Sequence, residues 1–302
     1  MQTKLKIEQL VINWHLTEAC NYRCHYCYAT WHKPNGHELI RNSAMTFGLL
    51  SQIAAFFQPD NVANPLTQHM TWRSVRLNLA GGEPLLYARC LPDLIASARR
   101  LGLDISLISN ASLLNDEMLA SLAPGLSWLG ISIDSTRPEA NREIGRIDRH
   151  GRLLDLDALG DGVQHIRRQF PSLGIKLNTV VNALNHEEDF TTCLQRFSPE
   201  KWKVLRMLPM VNQRLAVSNQ QYEAFITRHA HLSSILTAED TRDMCESYLM
   251  IDPAGRFFQN GVQRIGQGYL YSRPIIEVGA AAAFTDISFI PERFASRYGR
   301  RI

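Results

Sequence analysis

The chain has no long hydrophobic run: no stretch of its 302 residues approaches the apolar length of a membrane span. No signal-peptide pattern precedes the first expected strand, which begins at Leu10, and no room is left there for an amphipathic anchoring helix. The chain also lacks a charge excess. With 32 Lys and Arg against 29 Asp and Glu, the net charge of +3 is too small for general nucleic-acid binding, so any anion site must be local. Cysteine is scarce. Of six, Cys90, Cys193 and Cys245 are scattered and read as small buried hydrophobes of a reducing cytosol, with no second cluster-binding spacing. Internal repeats and low-complexity tracts are missing as well. Together these absences exclude membrane and nucleic-acid partners and predict a cytoplasmic protein. At 45% hydrophobic, the chain can still bury a full core, as one large domain or a domain with an extension.

The other three cysteines are packed into Cys20-Asn-Tyr-Arg-Cys24-His-Tyr26-Cys27. A structural zinc site wants four protein ligands, and an ordinary 4Fe–4S site wants four cysteines. Three thiolates from one tight loop leave one iron of a cubane open. Read alone, the spacing also allows a three-cysteine zinc site completed by His15, His25 or His32. Downstream, Arg76-Leu-Asn-Leu-Ala-Gly81-Gly82-Glu83-Pro84 reads as a buried strand running into a glycine turn that ends in a carboxylate. Two glycines would let the backbone approach a ligand closely, and Glu83 would accept from an ammonium group. Cysteine loop, helix and Gly-Gly-Glu-Pro turn, in that order, resemble radical SAM enzymes, where the open iron is chelated by S-adenosylmethionine.

Short apolar runs alternate with helical patterns, as in a β/α barrel. Strands are expected over Leu10–Leu16, Val75–Ala80, Ile105–Ser109, Trp128–Ile133, Ile175–Val181 and Lys203–Leu208. Helices are expected over Thr46–Phe57, Leu91–Leu101, Leu153–Phe170, Glu187–Phe197 and Asn219–His231, with Thr46, Asn115 and Ser198 at N-cap positions. The fold class is therefore α/β, a partial (βα)6 barrel with a C-terminal extension closing the barrel mouth. Boundaries fall at a lead-in over 1–8, the barrel over 9–210, and an extension and substrate lid over 211–302. Tyr248 to Phe258 reads as a β-hairpin with an Asp-Pro-Ala-Gly turn, and the chain beyond Asn260 as irregular. The loops Trp31–Ser43 and Pro59–Thr71 read as polar and flexible.

Side chains alternate faces along a strand, and a packed barrel centre should be lined by Val, Ile and Leu. Here one face is polar. Asn13 and His15 share it on the first strand, Arg76 and Asn78 on the second, Ser132 and Asp134 on the fourth. Lys176 and Asn178 share it on the fifth, and Lys201 and Lys203 enter the sixth together, with Arg206 opposite. Unpaired buried charges cost several kcal/mol, so a cavity with this many cations should hold a polyanion such as triphosphate, leaving Asn and Ser for a sugar. Any one of these residues, taken singly, would read as a solvated strand end.

The chain resembles the viperin family of radical SAM enzymes over about residues 9 to 290. The matching words are Asn13-Trp-His-Leu-Thr17, Asn78-Leu-Ala-Gly-Gly-Glu-Pro84, Ile108-Ser-Asn110, Ile131-Ser-Ile-Asp134-Ser and Ile144-Gly-Arg146. Lys176-Leu-Asn178-Thr-Val, Asn185-His-Glu-Glu-Asp189, Pro199-Glu-Lys-Trp-Lys203-Val and Ser247-Tyr248-Leu complete the series. The resemblance implies a lyase-type nucleotide dehydratase of antiviral defence. Its 5′-deoxyadenosyl radical would take the ribose 4′ hydrogen of CTP, or of UTP or GTP. Loss of the 3′-hydroxyl as water, then an electron and a proton, would give the 3′-deoxy-3′,4′-didehydro chain terminator.

The resemblance also implies roles. Cys20, Cys24 and Cys27 would ligate the 4Fe–4S cluster. Tyr26, Gly81, Gly82, Glu83, Ser109, Ser132 and Arg146 would hold S-adenosylmethionine. Asn13, His15, Arg76, Asn78, Lys176, Asn178, Lys201 and Lys203 would bind the nucleotide, and Tyr248 would be a candidate donor of the final proton, with Lys176 beside it in the catalytic set. A flavodoxin- or ferredoxin-type donor would supply electrons. Three departures stand out. Lys201 stands where the family often has Arg, replacing a bidentate phosphate contact by a point charge. Ala111 replaces a usual Gly, and the C-terminal Arg300-Arg-Ile302 lacks the terminal tryptophan of the animal proteins, which predicts another route of cluster delivery. The base-reading segment would be Thr237–Arg242, which matches poorly. A peptide-modifying or cofactor-maturing radical SAM enzyme is the alternative; it usually carries further cysteine clusters that this chain lacks. A glycyl-radical activase would add a ferredoxin-like insertion, and a zinc scaffold would be colourless.

Overall fold

Six strands form where apolar alternation expects them, and further strands flank them. The computed structural model describes residues 4–27, 38–209, 213–260 and 268–298. Its strands are β1 (Leu5–Lys6), β2 (Gln9–His15), β3 (Met70–Thr71), β4 (Ser74–Ala80), β5 (Asp104–Ser109) and β6 (Trp128–Ser132). β7 (Gly174–Val181), β8 (Lys201–Arg206), β9 (Leu236–Glu239), β10 (Leu249–Ile251), β11 (Arg256–Gln259) and β12 (Leu270–Pro274) follow. β1 and β3 pair separately. The others make one sheet in the order β12-β11-β10-β2-β4-β5-β6-β7-β8-β9. From β10 to β9 every pairing is parallel. The expected six-strand partial barrel is thus present, with one more parallel strand at each side and an open seam between β9 and β10.

Helices cover the outer face: α1 (Ser43–Phe57), α2 (Leu91–Arg100), α3 (Asp116–Leu122), α4 (Pro138–Ile144), α5 (Leu156–Gln169), α6 (Thr191–Phe197) and α7 (Asn219–Arg228). The strand residues that meet them are apolar and sealed. Leu10, Ile12, Trp14, Leu77, Leu79, Ile105, Leu107, Ile131, Ile175, Leu177, Trp202 and Val204 are all buried. The helices answer with one stripe each; in α2 it is Leu91, Leu94, Ile95 and Ala98, spaced at the helical period. Behind β7 and β8, Trp202 stacks among Phe190, Phe225 and His229. His229 is spanned by Phe190 N–H donating to Nε2 (3.0 Å) and Phe225 O beside Nδ1 (2.8 Å), and burial lowers its pKa, so it is a neutral core residue.

Several local expectations change. Asn42, not Thr46, caps α1, accepting from Met45 N–H at 3.1 Å. Thr46 lies inside the helix, its hydroxyl donating back to Leu39 O. Ser198 ends α6 in the left-handed conformation (φ 42°) instead of starting a helix, because β8 begins only three residues later. The stretch Pro59–Thr71 is ordered by buried Asn64, whose amide donates to Phe56 O and whose carbonyl accepts from Leu66 N–H. Of the loop Trp31–Ser43, residues 31–37 lie outside the described set. Leu39–Arg41 form a 3-10 turn. The hairpin is as expected, with Met250 opposite Phe258. Beyond it the chain is regular where described, with β12, α9 (Ile275–Val278), α10 (Ala280–Phe284) and α11 (Pro291–Tyr298), preceded before the hairpin by α8 (Thr241–Met244). Their apolar residues, Ile275, Ala283, Phe284 and Phe294, are buried. No described helix is long and apolar enough to cross a membrane.

Candidate active site

The inner sheet face encloses a cavity of about 410 Å³. Strand alternation places the polar set on it: Asn13 and His15 of β2, Arg76 and Asn78 of β4, Ser132 of β6, Lys176 and Asn178 of β7, Lys201 and Lys203 of β8. Register aligns Asn13 with Asn78, Lys176 with Lys201, and Asn178 with Lys203. Asn78 donates to Asn13 Oδ1 (2.8 Å) and accepts from Ser106 Oγ (2.7 Å), which fixes its amide. Asn178 is buried, and among the described residues its amide Nδ2 has no hydrogen-bond partner, a donor available to a guest. Gly130 makes room for Lys176. A Cβ there would stand 2.8 Å from Ile108 and 3.3 Å from the Lys176 stem.

At the opposite rim lies the cysteine loop. It follows β2 and is fastened twice by backbone. Gly82 N–H donates to Thr17 O (2.7 Å) and Glu83 N–H to Ala19 O (2.8 Å). On the other side, Arg23 N–H donates to Gly145 O and His25 N–H to Ile144 O. A Cβ on Gly82 would fall 2.0 Å from Ala19 O, and one on Gly81 2.6 Å from Thr17 O. The glycines therefore serve contact with the cysteine loop itself, and not, as the motif alone suggested, only the approach of a ligand. Gly145 repeats the device at φ +87°, 2.3 Å from Arg23 O.

Glu83 is wholly buried and does not border the cavity. Its carboxylate accepts from Leu85 N–H, Ser109 Oγ and Asn110 N–H (2.8–2.9 Å), and burial raises its pKa despite them. Asn110 passes the connection on, donating to Asn21 Oδ1 and lying 3.6 Å from Cys20 Sγ. Arg146, just past α4, forms a 2.8 Å ion pair with Asp134 and donates to Ser132 O, while Tyr26 OH donates to the same Asp134 carboxylate. Burial opposes the Arg146 charge, but Asp134 holds its pKa well above the usual range. Burial, with Asp134 next, raises Tyr26. Asp134 was placed on the inner face by alternation but not counted as a site residue; it ties Tyr26 of the cysteine loop to the sheet.

The family words turn out to divide between cavity and frame. Glu188 of the Asn185–Asp189 word accepts from Thr136 N–H (3.0 Å) and pairs with Arg137 (3.1 Å), while Asn185 donates to Val180 O (2.8 Å). These brace the turn that leads into α4. Arg206, expected on the opposite face, also borders the cavity at the end of β8, where Asp240, Asn219 and Val217 O engage its guanidinium. At the seam, Lys203 Nζ lies 2.8 Å from Glu239 and donates to Tyr248 OH at 2.6 Å. The sequence places Glu239 only within the base-reading segment Thr237–Arg242; β9, four residues long, is too short to show the alternation that puts its carboxylate beside Lys203.

The residues present fit a three-thiolate cluster. Cys20, Cys24 and Cys27 border the same cavity, each partly exposed. Burial pushes the Cys24 thiol up to about 11 and raises Cys20, so both wait protonated for a metal that would displace the proton. Among the described residues no three His, Cys, Asp or Glu side chains are grouped as ligands of a single ion. His15 instead meets Phe258 edge-on at 5.0 Å, burial taking its pKa down to about 4. A zinc site built on it is not formed, and His32 lies outside the described residues. Gly81, Gly82, Ser109, Ser132 and Arg146 line the cavity together with the three cysteines.

Comparison with known proteins agrees. The radical SAM superfamily model matches residues 14–188. A protein of Psychrobacter lutiphocae named S-adenosylmethionine-dependent nucleotide dehydratase is 39% identical over 98% of this chain and 97% of its own. One of the same name from Pseudoalteromonas ulvae is 41% identical over 97% and 94%. The Danio rerio S-adenosylmethionine-dependent nucleotide dehydratase RSAD2 is 28% identical over 96% and 77%. Among solved structures, anSMEcpe with bound AdoMet and the Kp18Cys peptide aligns with a TM-score of 0.68 at 13% identity, over 95% of this chain and 84% of that one, a likeness of fold. The chain belongs to the radical SAM superfamily and, within it, to the viperin family of S-adenosylmethionine-dependent nucleotide dehydratases.

Proposed function

We propose that this nucleotide dehydratase acts on a ribonucleoside triphosphate, CTP before UTP or GTP, and yields the 3′-deoxy-3′,4′-didehydro analogue. The observation that carries the choice is the cavity itself, with three thiols at one end and Arg76, Lys176, Lys201 and Lys203 at the other. A triphosphate carries about as many negative charges as these side chains carry positive ones, and charge-assisted contacts to it are the strong kind. Burial, then the charges of Lys203, Arg76 and Lys201, lower the Lys176 pKa well below its usual value; an anion among them relieves that repulsion.

When bound, the cluster and S-adenosylmethionine supply a 5′-deoxyadenosyl radical able to take a ribose hydrogen. The protein's part is orientation. Lysines and Arg76 would anchor the phosphates, and Asn78, Asn13 and the Asn178 amide would address the sugar hydroxyls. Ser132, Arg146, Ser109 and the Gly81-Gly82-Glu83 turn would set S-adenosylmethionine, with the Tyr26 backbone at its adenine. Tyr248 would give the proton that lets the 3′-hydroxyl depart as water, leaving a phenolate beside the Lys203 ammonium. We assign the segment 211–302 the role of substrate lid, since Tyr248, Met250, Asn260 and Tyr269 border the cavity. A flavodoxin or ferredoxin donor, a cytoplasmic setting and a role in antiviral defence complete the proposal.

The test uses anaerobically reconstituted protein with dithionite, S-adenosylmethionine and CTP, UTP, GTP or ATP in turn. The expected result is 5′-deoxyadenosine release stimulated by CTP, with a product lighter by one water. Stimulation by another base alone would reassign the substrate; stimulation by none would overturn the nucleotide reading.

A further inference from the structure

Glu239 ends β9 and Tyr248 immediately precedes β10, the two parallel strands at the open seam. Among the described residues no backbone ladder joins these strands, but side chains do. Lys203 Nζ stands 2.8 Å from one oxygen of the Glu239 carboxylate, and Tyr248 OH donates to the other. Lys203 in turn donates to the Tyr248 oxygen at 2.6 Å and lies 4.8 Å from the centre of its ring. The Glu239 backbone is held too, its carbonyl accepting from Tyr222 OH at 3.1 Å. The residue is 3% exposed, yet it borders the cavity. Among the described residues two carboxylates line the cavity: Asp134, committed to Arg146 and Tyr26 near the cysteines, and Glu239 beside Lys203.

We infer that Glu239 is a positioning residue, an internal counter-ion that occupies Lys203 in place of phosphate and aims the Tyr248 hydroxyl. The inference rests on the nucleotide reading for what finally displaces the carboxylate. Its physical basis is that buried cations without an anion are costly, so one carboxylate offsets part of the cationic wall. The same carboxylate repels an entering polyanion. Glu239 therefore weakens binding while it fixes the geometry of the step that follows.

Glu239→Gln separates the two effects. An amide offers one acceptor and one donor where the carboxylate offers two acceptors, so it cannot serve both Lys203 and Tyr248. Losing one negative charge here should tighten inorganic tripolyphosphate and nucleoside triphosphate by roughly 5-fold or more, the lower bound being that of a charge pair about 4 Å apart at the dielectric of water. Turnover should fall by about 10-fold or more as the hydroxyl loses its orientation. Glu239→Asp, with both acceptors and the charge, should return the affinity to the wild-type value and recover part of the turnover. Calorimetry with tripolyphosphate on the cluster-free protein reads the first effect, and steady-state kinetics with each nucleotide reads the second. Unchanged or weaker affinity in Glu239→Gln, or tighter affinity that Glu239→Asp does not reverse, would overturn the assignment. If tripolyphosphate behaves as expected but no nucleotide stimulates wild-type cleavage, Glu239 keeps its counter-ion role and the nucleotide reading alone falls.

Discussion

Gly82 decides whether the cysteine loop can reach its place. Its absent Cβ is replaced by Ala19 O, and no rotamer change can free a space occupied by backbone. Gly82→Ala should therefore displace Thr17–Ala19 and the cysteines after them; we expect reconstituted iron content to fall to a small fraction of wild type while far-ultraviolet dichroism stays unchanged. Lys176 supplies a second prediction at this scale. Its pKa lies well below the usual value through burial and through Lys203, Arg76 and Lys201, so part of the free population is neutral as pH rises. A bound polyanion favours the charged form and raises that pKa. Binding of tripolyphosphate should then take up protons, and affinity should weaken as pH rises. Calorimetry in buffers of different ionisation enthalpy should show uptake in wild type and its loss in Lys176→Met. The cysteines, the glycine turn and the lysines were legible as residue types at fixed spacing. That Glu83 is satisfied by Ser109 and Asn110 as well as by Leu85 was not, because those two partners come from another segment of the chain.

Among elements, the turn between β6 and α4 bears most on the site, because α4 carries the chain to Gly145 and Arg146. It is braced from outside the cavity by Glu188, which accepts from Thr136 and pairs with Arg137. Removing that carboxylate leaves the buried Ser135 hydroxyl, which donates to it, without its acceptor, a cost of about 1–3 kcal/mol. Glu188→Ala should lower the urea midpoint accordingly and weaken S-adenosylmethionine binding, although Glu188 touches no cavity surface. Strand positions were legible because period-two alternation is local: β4 through β7 start and stop within about two residues of expectation. Caps were less so. Thr46 and Ser198 have the right chemistry for an N-cap, but Asn42 and the left-handed end of α6 fill those places once packing fixes where α1 starts and α6 stops.

For the whole molecule, the open seam is where nucleotide binding should register. β8 and β9 pair by backbone, and among the described residues Lys203 and Glu239 link them to Tyr248 at the entry to β10 through side chains. We expect a saturating triphosphate to slow backbone hydrogen exchange over residues 236–251 and to raise the melting temperature, by the equivalent of about 2.7 kcal/mol at a hundred times Kd. Equal exchange with and without nucleotide would mean that the seam takes no part in binding. The seam also marks the boundary between the two kinds of information. By itself the sequence determined the three-thiolate loop, the glycine turn, the strands and the inner face they present, since each depends on spacing within a few residues. Only the tertiary structure decided that β9 and β10 flank the parallel sheet, that Asp134 and Glu239 are the acids set against its cations, and that the glycines serve loop contact. Those contacts join residues from segments distant in the chain, and short-range periodicity is silent about which of them will meet.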